Sequence, residues 1–229
     1  TVIMFDENQI LTTEQFWEAE ILERYRQQAK DSQNYITLKN QLRMHADHKT
    51  IEWIDSFTKR GQILKIPNSS VGYEIRIFDS PDELDHEIQK KAHCDQTSLS
   101  RIIATYDWEY NSSVRQAERA RKYWEVTIGK WHKPWNRELE KELSRREKKA
   151  IKKMSWAEQP QTIGEVGSTF TMQGFDLNYA GVILGPSVKY RDGHIVFDPE
   201  ASCNVKAVRN RTLSDGTKKK FGETLLKHE

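Results

Sequence analysis

The sequence predicts an α/β layer architecture with a largely parallel sheet, and three observations carry that expectation. Apolar runs of strand length recur, as VIMF at 2–5, RIIATYD at 101–107 and AGVILG at 180–185. Between them lie stretches whose apolar residues fall at helical spacing, such as Ile51, Ile54 and Phe57. Strands that alternate with helices are the signature of crossover-connected layers. At 229 residues the chain is also long enough to bury a sizeable core.

Taken in order, VIMF reads as a buried strand that delivers Asp6 and Glu7 at its end. Thr12 or Thr13, with Glu14 and Gln15, reads as a helix start; Ala19, Ile21, Leu22 and Tyr25 then share a face, with Phe16 and Trp17 off it. NYITL at 34–38 is a short strand candidate, and 41–57 changes to helical periodicity, with Arg43 at the junction. YEIRIFDS at 73–80 alternates Tyr73, Ile75 and Ile77 against Glu74, Arg76 and Phe78, which suits a half-buried strand. SPDELDHEIQKKA at 80–92 opens with a cap residue, a first-turn proline and acids, so a helix follows. The stretch 108–156 mixes aromatic and basic residues, contains a predicted helix at 137–154, and reads as an insertion at about 108–160. EVGSTF, MQGFDLNY and AGVILG read as strand, short turn or helix, and buried strand. YRDGHIVFD at 190–198 is a hairpin with Asp192-Gly193 at its turn.

Charge and cysteine content narrow the function classes. The 36 Lys and Arg nearly cancel the 34 Asp and Glu, so net charge announces no partner, but the distribution is uneven. Residues 115–153 hold fourteen basic against six acidic residues, and 204–229 hold seven against three. Cys94 and Cys203 lie far apart with no CxxC spacing, which excludes a disulfide framework or zinc ribbon and fits a reducing cytoplasm. No apolar run approaches the ~20 residues needed to span a bilayer, so no membrane partner is expected.

Several residue patterns are able to carry chemistry. An apolar strand ending in Asp6-Glu7 could place one carboxylate on Mg²⁺ and the other on an attacking water, although strand ends often face solvent without such a role. Arg43 could offer a fixed charge to a phosphate, or make an ordinary salt bridge. Gln173-Gly174 permits close backbone approach to a ligand, or is a plain turn. Trp108, Trp124, Trp131, Trp135 and Trp156 lie among basic residues; they could stack on bases, or pack a small satellite core. The basic helix candidate at 137–154 is either a solvated face or a nucleic-acid contact. His45, Asp47 and His48, or His93 with Cys94, have metal-donor chemistry, but neither set closes a tetrahedral site.

The order DENQ, QLRM, then TMQGFD before a buried strand resembles motifs II, IV and V of superfamily 1 helicases and translocases. More narrowly, YEIRIFDSPDELDHEI, RIIATYDWEY, PWN and GSTFTMQGFDLNYAGVILGPSVKYRDG resemble bacterial helicase-like P-loop ATPases near the Schlafen group 3 type, over nearly the whole chain. The resemblance implies a RecA-like second motor domain at 31–229, with residues 1–30 supplying the Walker B strand and following helix of the first. It implies Asp6 as the Mg²⁺ ligand, Glu7 as the water-activating carboxylate, and Gln9 as the residue that senses the γ-phosphate or couples to the neighbouring domain. Arg43 becomes the arginine finger, and Gln173, Gly174 and Asp176 match the family's QGxE, with Asp one methylene shorter than Glu. Thr169, Thr171 and Trp108 become candidate nucleic-acid contacts.

The implied cofactors are ATP, or another NTP, and Mg²⁺; the implied partners are single-stranded nucleic acid and an N-terminal motor domain in cis. No GxxxxGK[ST] loop occurs in the sequence, and no motif VI arginine follows FGETLLKHE. The start at Thr1 and the stop at Glu229 therefore read as cuts around a second motor domain, and hydrolysis is expected only of a longer protein. Two functions follow from this: an NTP-driven translocase or helicase, or a regulatory or defence-associated nucleic-acid-binding ATPase or binding module without unwinding.

Overall fold

A computed structural model describes residues 2–38, 46–68, 72–94, 99–114, 118–172, 174 and 176–229. In chain order the elements are α1 (Ala19–Asp31), α2 (His48–Arg60), α3 (Pro81–Cys94), β1 (Ser100–Ala104), β2 (Glu125–Ile128), β3 (Trp131–Pro134) and α4 (Arg145–Ile151). There follow β4 (Val166–Gly167), α5 (Thr169–Met172), β5 (Tyr179–Ile183), β6 (Val188–Arg191), β7 (His194–Phe197), α6 (Val205–Val208), β8 (Arg211–Thr212), β9 (Lys218–Lys219) and α7 (Gly222–Leu226). They form two compact units, one from Thr1–Ile75, Lys189–Glu200 and Val205–Glu229, the other from Arg76–Val188 and Ala201–Asn204.

The second unit contains the parallel sheet that the sequence predicts, with strand order β4-β1-β5. Ile102 pairs with Val166 on one side and Gly181 on the other. Helix α3 starts where Ser80 accepts a bond from the Glu83 amide, with Pro81 in its first turn and Asp82 and Glu83 favouring the positive end of its dipole. It packs Leu84 and Ile88 onto β1 and β5, and a Cβ at Gly181 would lie 2.9 Å from Ile88 Cγ1, so glycine sets how closely helix and sheet approach.

The hairpin β2-β3 runs straight into this sheet, because Trp135, just after β3, bridges Val166 in the parallel sense. Trp131 and Trp135 then share one core with Ile88, Ile102, Ala104, Val126, Val166 and Ile183. Trp108 and Trp124 pack against that core as well, so these four tryptophans belong to the sheet's own core instead of a satellite. Asp85 on α3 pins the hairpin from the other side, accepting from Trp131 Nε1 at 3.1 Å and Lys133 Nζ at 2.5 Å.

In the first unit, Ile10, Ala207, Phe221, Leu225 and Leu226 are buried, with Phe5, Phe16, Phe197, Val208 and Leu213 packed around them. Helix α2 is capped by Asp47, whose Oδ1 accepts from the Thr50 amide at 2.9 Å, and stops at Gly61 in the left-handed region with φ 65°. Gly61 O then accepts from the Ile195 amide at 2.7 Å, tying the helix end to β7. The β6-β7 hairpin turns at Asp192-Gly193, both at positive φ, as the sequence predicts.

Several expected elements are absent or differ. Residues 2–5 are not a buried strand: Val2 and Met4 are about nine-tenths exposed, and the chain turns at Glu7–Gln9. Residues 34–38 and 73–78 likewise form no strand, leaving Ile36, Leu38 and Ile77 exposed. An extended run becomes a strand only when a neighbour satisfies its amides, and no described segment pairs with these three. The predicted start of α1 moves to Ala19, because Thr13 is taken up by Lys206 O at 3.0 Å and Phe16 stacks on Phe221. The helix expected over 137–154 splits into a 3-10 turn, Leu139–Glu142, and α4, since Ser144 starts a new helix with a capping box to Glu147.

Candidate functional site

Parallel strands gather the residues that follow them along one edge, and ligands of open α/β sheets bind at that carboxyl edge. Here the edge consists of Thr105–Trp108 after β1, Ser168–Thr171 after β4, Leu184–Ser187 after β5, and Asn136 beyond the Trp135 bridge. It is a polar network under cover. Asp107 Oδ2 accepts from Thr105 Oγ1 at 3.0 Å and from the Ser187 amide at 2.9 Å, while Thr105 Oγ1 accepts from the Gly185 amide at 2.8 Å. A Cβ at Gly185 would fall 2.3 Å from Asp107 Oδ2, so glycine lets the β5 exit close over this carboxylate.

On the β4 side, Ser168 Oγ lies 2.7 Å from Asn136 Oδ1, and Asn136 adopts φ 54°, a conformation asparagine tolerates better than most residues. Two buried atoms on this edge, Asp107 Oδ1 and Asn136 Nδ2, have no partner among the described residues. One is an acceptor and the other a donor, and a water or a ligand's polar atom would satisfy each. Beside them a cleft of about 370 Å³ is lined by Trp108, Thr127, Ile128, Leu184, Gly185 and Pro186. Sequence reasoning did not single out Thr105, Asp107, Asn136 or Ser168 individually; the blocks RIIATYDWEY, PWN and GSTFTM that contain them were the available signal.

Of the residues the sequence nominated, Trp108 is half-buried on the wall of that cleft, with Nε1 donating to Thr127 O at 3.1 Å. Thr171 is buried and closes the first turn of α5, its Oγ1 accepting from the Ser168 amide at 2.8 Å; Thr169 is partly exposed at the helix start. Gly174, at φ 93°, and Asp176 are exposed between α5 and β5. Arg43, Gln173 and His45 lie outside the described residues.

In the first unit Asp6, Glu7 and Gln9 are brought together, all exposed. Asp6 Oδ1 accepts from the Asn8 amide at 3.0 Å and its Oδ2 from Gln9 Nε2 at 3.0 Å, while Glu7 pairs with Arg26 of α1. That pair raises the Arg26 pKa above its usual value.

Both carboxylates are engaged locally, Asp6 as a turn cap and Glu7 by a cation, and the described residues contain no cluster of three metal-donor side chains. His93 Nδ1 sits 2.6 Å from Gln89 O, and Asp47 caps α2, so these two residues serve local structure.

Beneath the carboxyl edge lie two buried glutamates. Glu138 receives Arg119 at 2.7 Å, with both side chains nearly inaccessible, and also Lys141. Glu165 accepts from Trp156 Nε1 at 2.6 Å and the Leu139 amide at 3.1 Å; burial pushes its pKa up, against the pull of those bonds. Arg101 is buried beside it, bonded to Thr162 and Gln159, and burial lowers its pKa.

Among the described residues, no helix is long and apolar enough to cross a membrane. The uncharacterized protein YPL245W of Saccharomyces cerevisiae is 28% identical over 207 residues, covering 82% of this chain and 42% of that protein. The chain thus spans less than half the length of that curated relative. No solved structure matches. The family described as Schlafen group 3, DNA/RNA helicase domain, matches residues 1–229. On that full-length match the chain belongs to the Schlafen group 3 helicase domain family.

Proposed function

We propose that the chain is a fragment of a nucleic-acid motor of the superfamily 1 type, an NTP-dependent translocase or helicase. In this reading it supplies most of a second RecA-like motor domain, at 31–229, and the Walker B segment of the first, at 1–30. The single observation that supports it best is the family match along the whole chain, with the run GSTFTM, 167–172, at the carboxyl end of β4 in a parallel sheet. A RecA-like motor domain is itself a parallel sheet with its ligands at that edge.

ATP with Mg²⁺ is the proposed cofactor of the whole protein, with Asp6 and Glu7 in the Walker B roles, Gln9 as sensor, Arg43 as finger, and Gln173, Gly174 and Asp176 at the nucleotide. Thr169, Thr171 and Trp108 are the proposed contacts to a single strand, and the proposed location is the cytoplasm. Trp108 has a physical case of its own: its ring is fixed by a bond to Thr127 on an open cleft wall, which suits stacking on a base.

A second reading, a nucleic-acid-binding ATPase or binding module that does not unwind, is favoured by the local engagement of Asp6 and Glu7. The deciding experiment measures NTPase activity and strand displacement by the full-length protein, with and without single-stranded DNA or RNA. A motor is expected to show stimulated hydrolysis that falls by at least ~100-fold in Glu7→Gln or Arg43→Ala, the scale of a lost catalytic group. Undiminished hydrolysis in both variants sinks the site assignment, and hydrolysis without displacement selects the second reading.

A further inference from the structure

Helix α4 and the turn after it carry Arg145, Arg146, Lys148, Lys149, Lys152 and Lys153, all exposed. At about 100° of rotation per residue the four within the helix fall in an arc of roughly 160°, away from Ile151, and Lys152 and Lys153 follow in the turn. Ile151 is buried, so the cationic arc faces solvent because the helix is seated on its other side. The acid within the helix, Glu147, lies off the arc and is turned back to the Ser144 amide at 2.7 Å, which holds its pKa below the ordinary range.

None of the six cations makes an ion pair among the described residues; Lys148 reaches only the Lys141 carbonyl, at 3.5 Å. Elsewhere in the same segment most of the described basic residues are paired: Arg119 and Lys141 with Glu138, Arg121 with Glu125, Lys122 with Glu142, Lys133 with Asp85 and Arg137 with Glu140, while Lys130 stands alone. Most of the uncompensated charge among the described residues of 115–153 is therefore concentrated on one short face.

We infer that this face of α4 and its following turn binds the phosphate backbone of a single-stranded nucleic acid. The inference rests on the nucleic-acid reading of the chain and adds a surface to it. Four unpaired cations on one side of a capped helix, with two more in the turn after it, match a polyanion, since each phosphate neutralised releases condensed counterions. A lipid surface is a poorer match, because a membrane-lying helix needs large apolar residues on its inner face and Ile151 is already buried in protein. The arc also contains no aromatic residue, so it follows the backbone without reading bases, leaving stacking to Trp108.

The test is fluorescence anisotropy of this chain with labelled oligothymidylate and oligouridylate of about 20 nucleotides, between roughly 50 and 200 mM salt. A fourfold variant, Arg145→Gln with Lys148→Gln, Lys149→Gln and Lys152→Gln, keeps the capping box and Ile151. The slope of log affinity against log salt is expected to shrink by about 3, from ~0.7 per phosphate contact. Wild type then loses about 50-fold more affinity than the variant across that salt range. Unchanged slope and affinity in the variant overturn the α4 assignment while the wild type still binds. The same loss per charge in Lys218→Gln with Lys220→Gln overturns it too, because net charge alone then sets affinity. Equal binding of polyglutamate of matched length overturns the choice of partner. Absence of wild-type binding to either strand removes the nucleic-acid reading itself. Matched circular dichroism and melting show that the variant folds.

Discussion

Glu165 and Glu138 are both buried near the same turn, and their environments make them different residues. Glu138 meets two cations, so losing it strands Arg119 in the interior. Glu165 meets only neutral donors, Trp156 Nε1 and the Leu139 amide, and its burial raises its pKa. A carboxyl whose folded pKa exceeds its unfolded value binds its proton more tightly in the native state. Its contribution is complete below the ordinary glutamate pKa and is lost as pH rises through the raised value. Each unit of elevation corresponds to about 1.4 kcal/mol. Glu165→Gln mimics the protonated form, so urea midpoints measured across this window should fall with rising pH in wild type and stay flatter in the variant. Parallel profiles would show that Glu165 does not titrate there. Nothing in the sequence around Glu165 distinguishes it from Glu158, which is exposed and held below the ordinary range by Ser155; only burial separates the two.

Elements were legible where local pattern and partner agreed. Strand β1, the β4-α5-β5 passage, α2, α3 and the β6-β7 hairpin all lie where apolar runs, caps or Asp-Gly place them, because each signal acts within a few residues. The runs at 2–5, 34–38 and 73–78 carry equally good strand patterns and form none, since pairing depends on a neighbour that local pattern cannot specify. The site divides in the same way. Asp6, Glu7 and Gln9 are adjacent in sequence and adjacent in space, whereas Glu7–Arg26 and the Asp107–Ser187 bond join residues far apart along the chain. One close approach tests the element that frames the carboxyl edge. Gly181→Ala puts a methyl group 2.9 Å from Ile88 Cγ1 and 3.3 Å from Ile102 Cγ1 and Leu84 Cδ1, between α3 and two strands. The extra strand propensity of alanine is a fraction of a kcal/mol, against about 1–3 kcal/mol for overpacking. A lower unfolding midpoint is expected, and an unchanged or higher one means that Ile88 yields without moving the helix.

At the scale of the molecule, the chain assembles its first unit from three separated pieces, with 201–204 contributed to the second unit between two of them. The order of local signals gives no warning of this, because Thr13 bonding Lys206, and His228 Nδ1 lying 2.9 Å from Ile10 O, depend on contacts nearly two hundred or more residues apart. Leu225 of α7 is fully buried among Ile10, Ala207, Phe221 and Leu226, so it joins the chain's two ends in one core. Truncating it to alanine removes buried methyl groups and leaves a cavity, at a cost of about 2–5 kcal/mol. If the two units are separately cohesive, that cost falls on the first. Hydrogen exchange should then show faster exchange at the Thr13, Ile195 and Leu225 amides, each bonded within the first unit, while the amides of β1 keep their protection. An equal loss of protection in β1 would mean that the chain unfolds as one cooperative body.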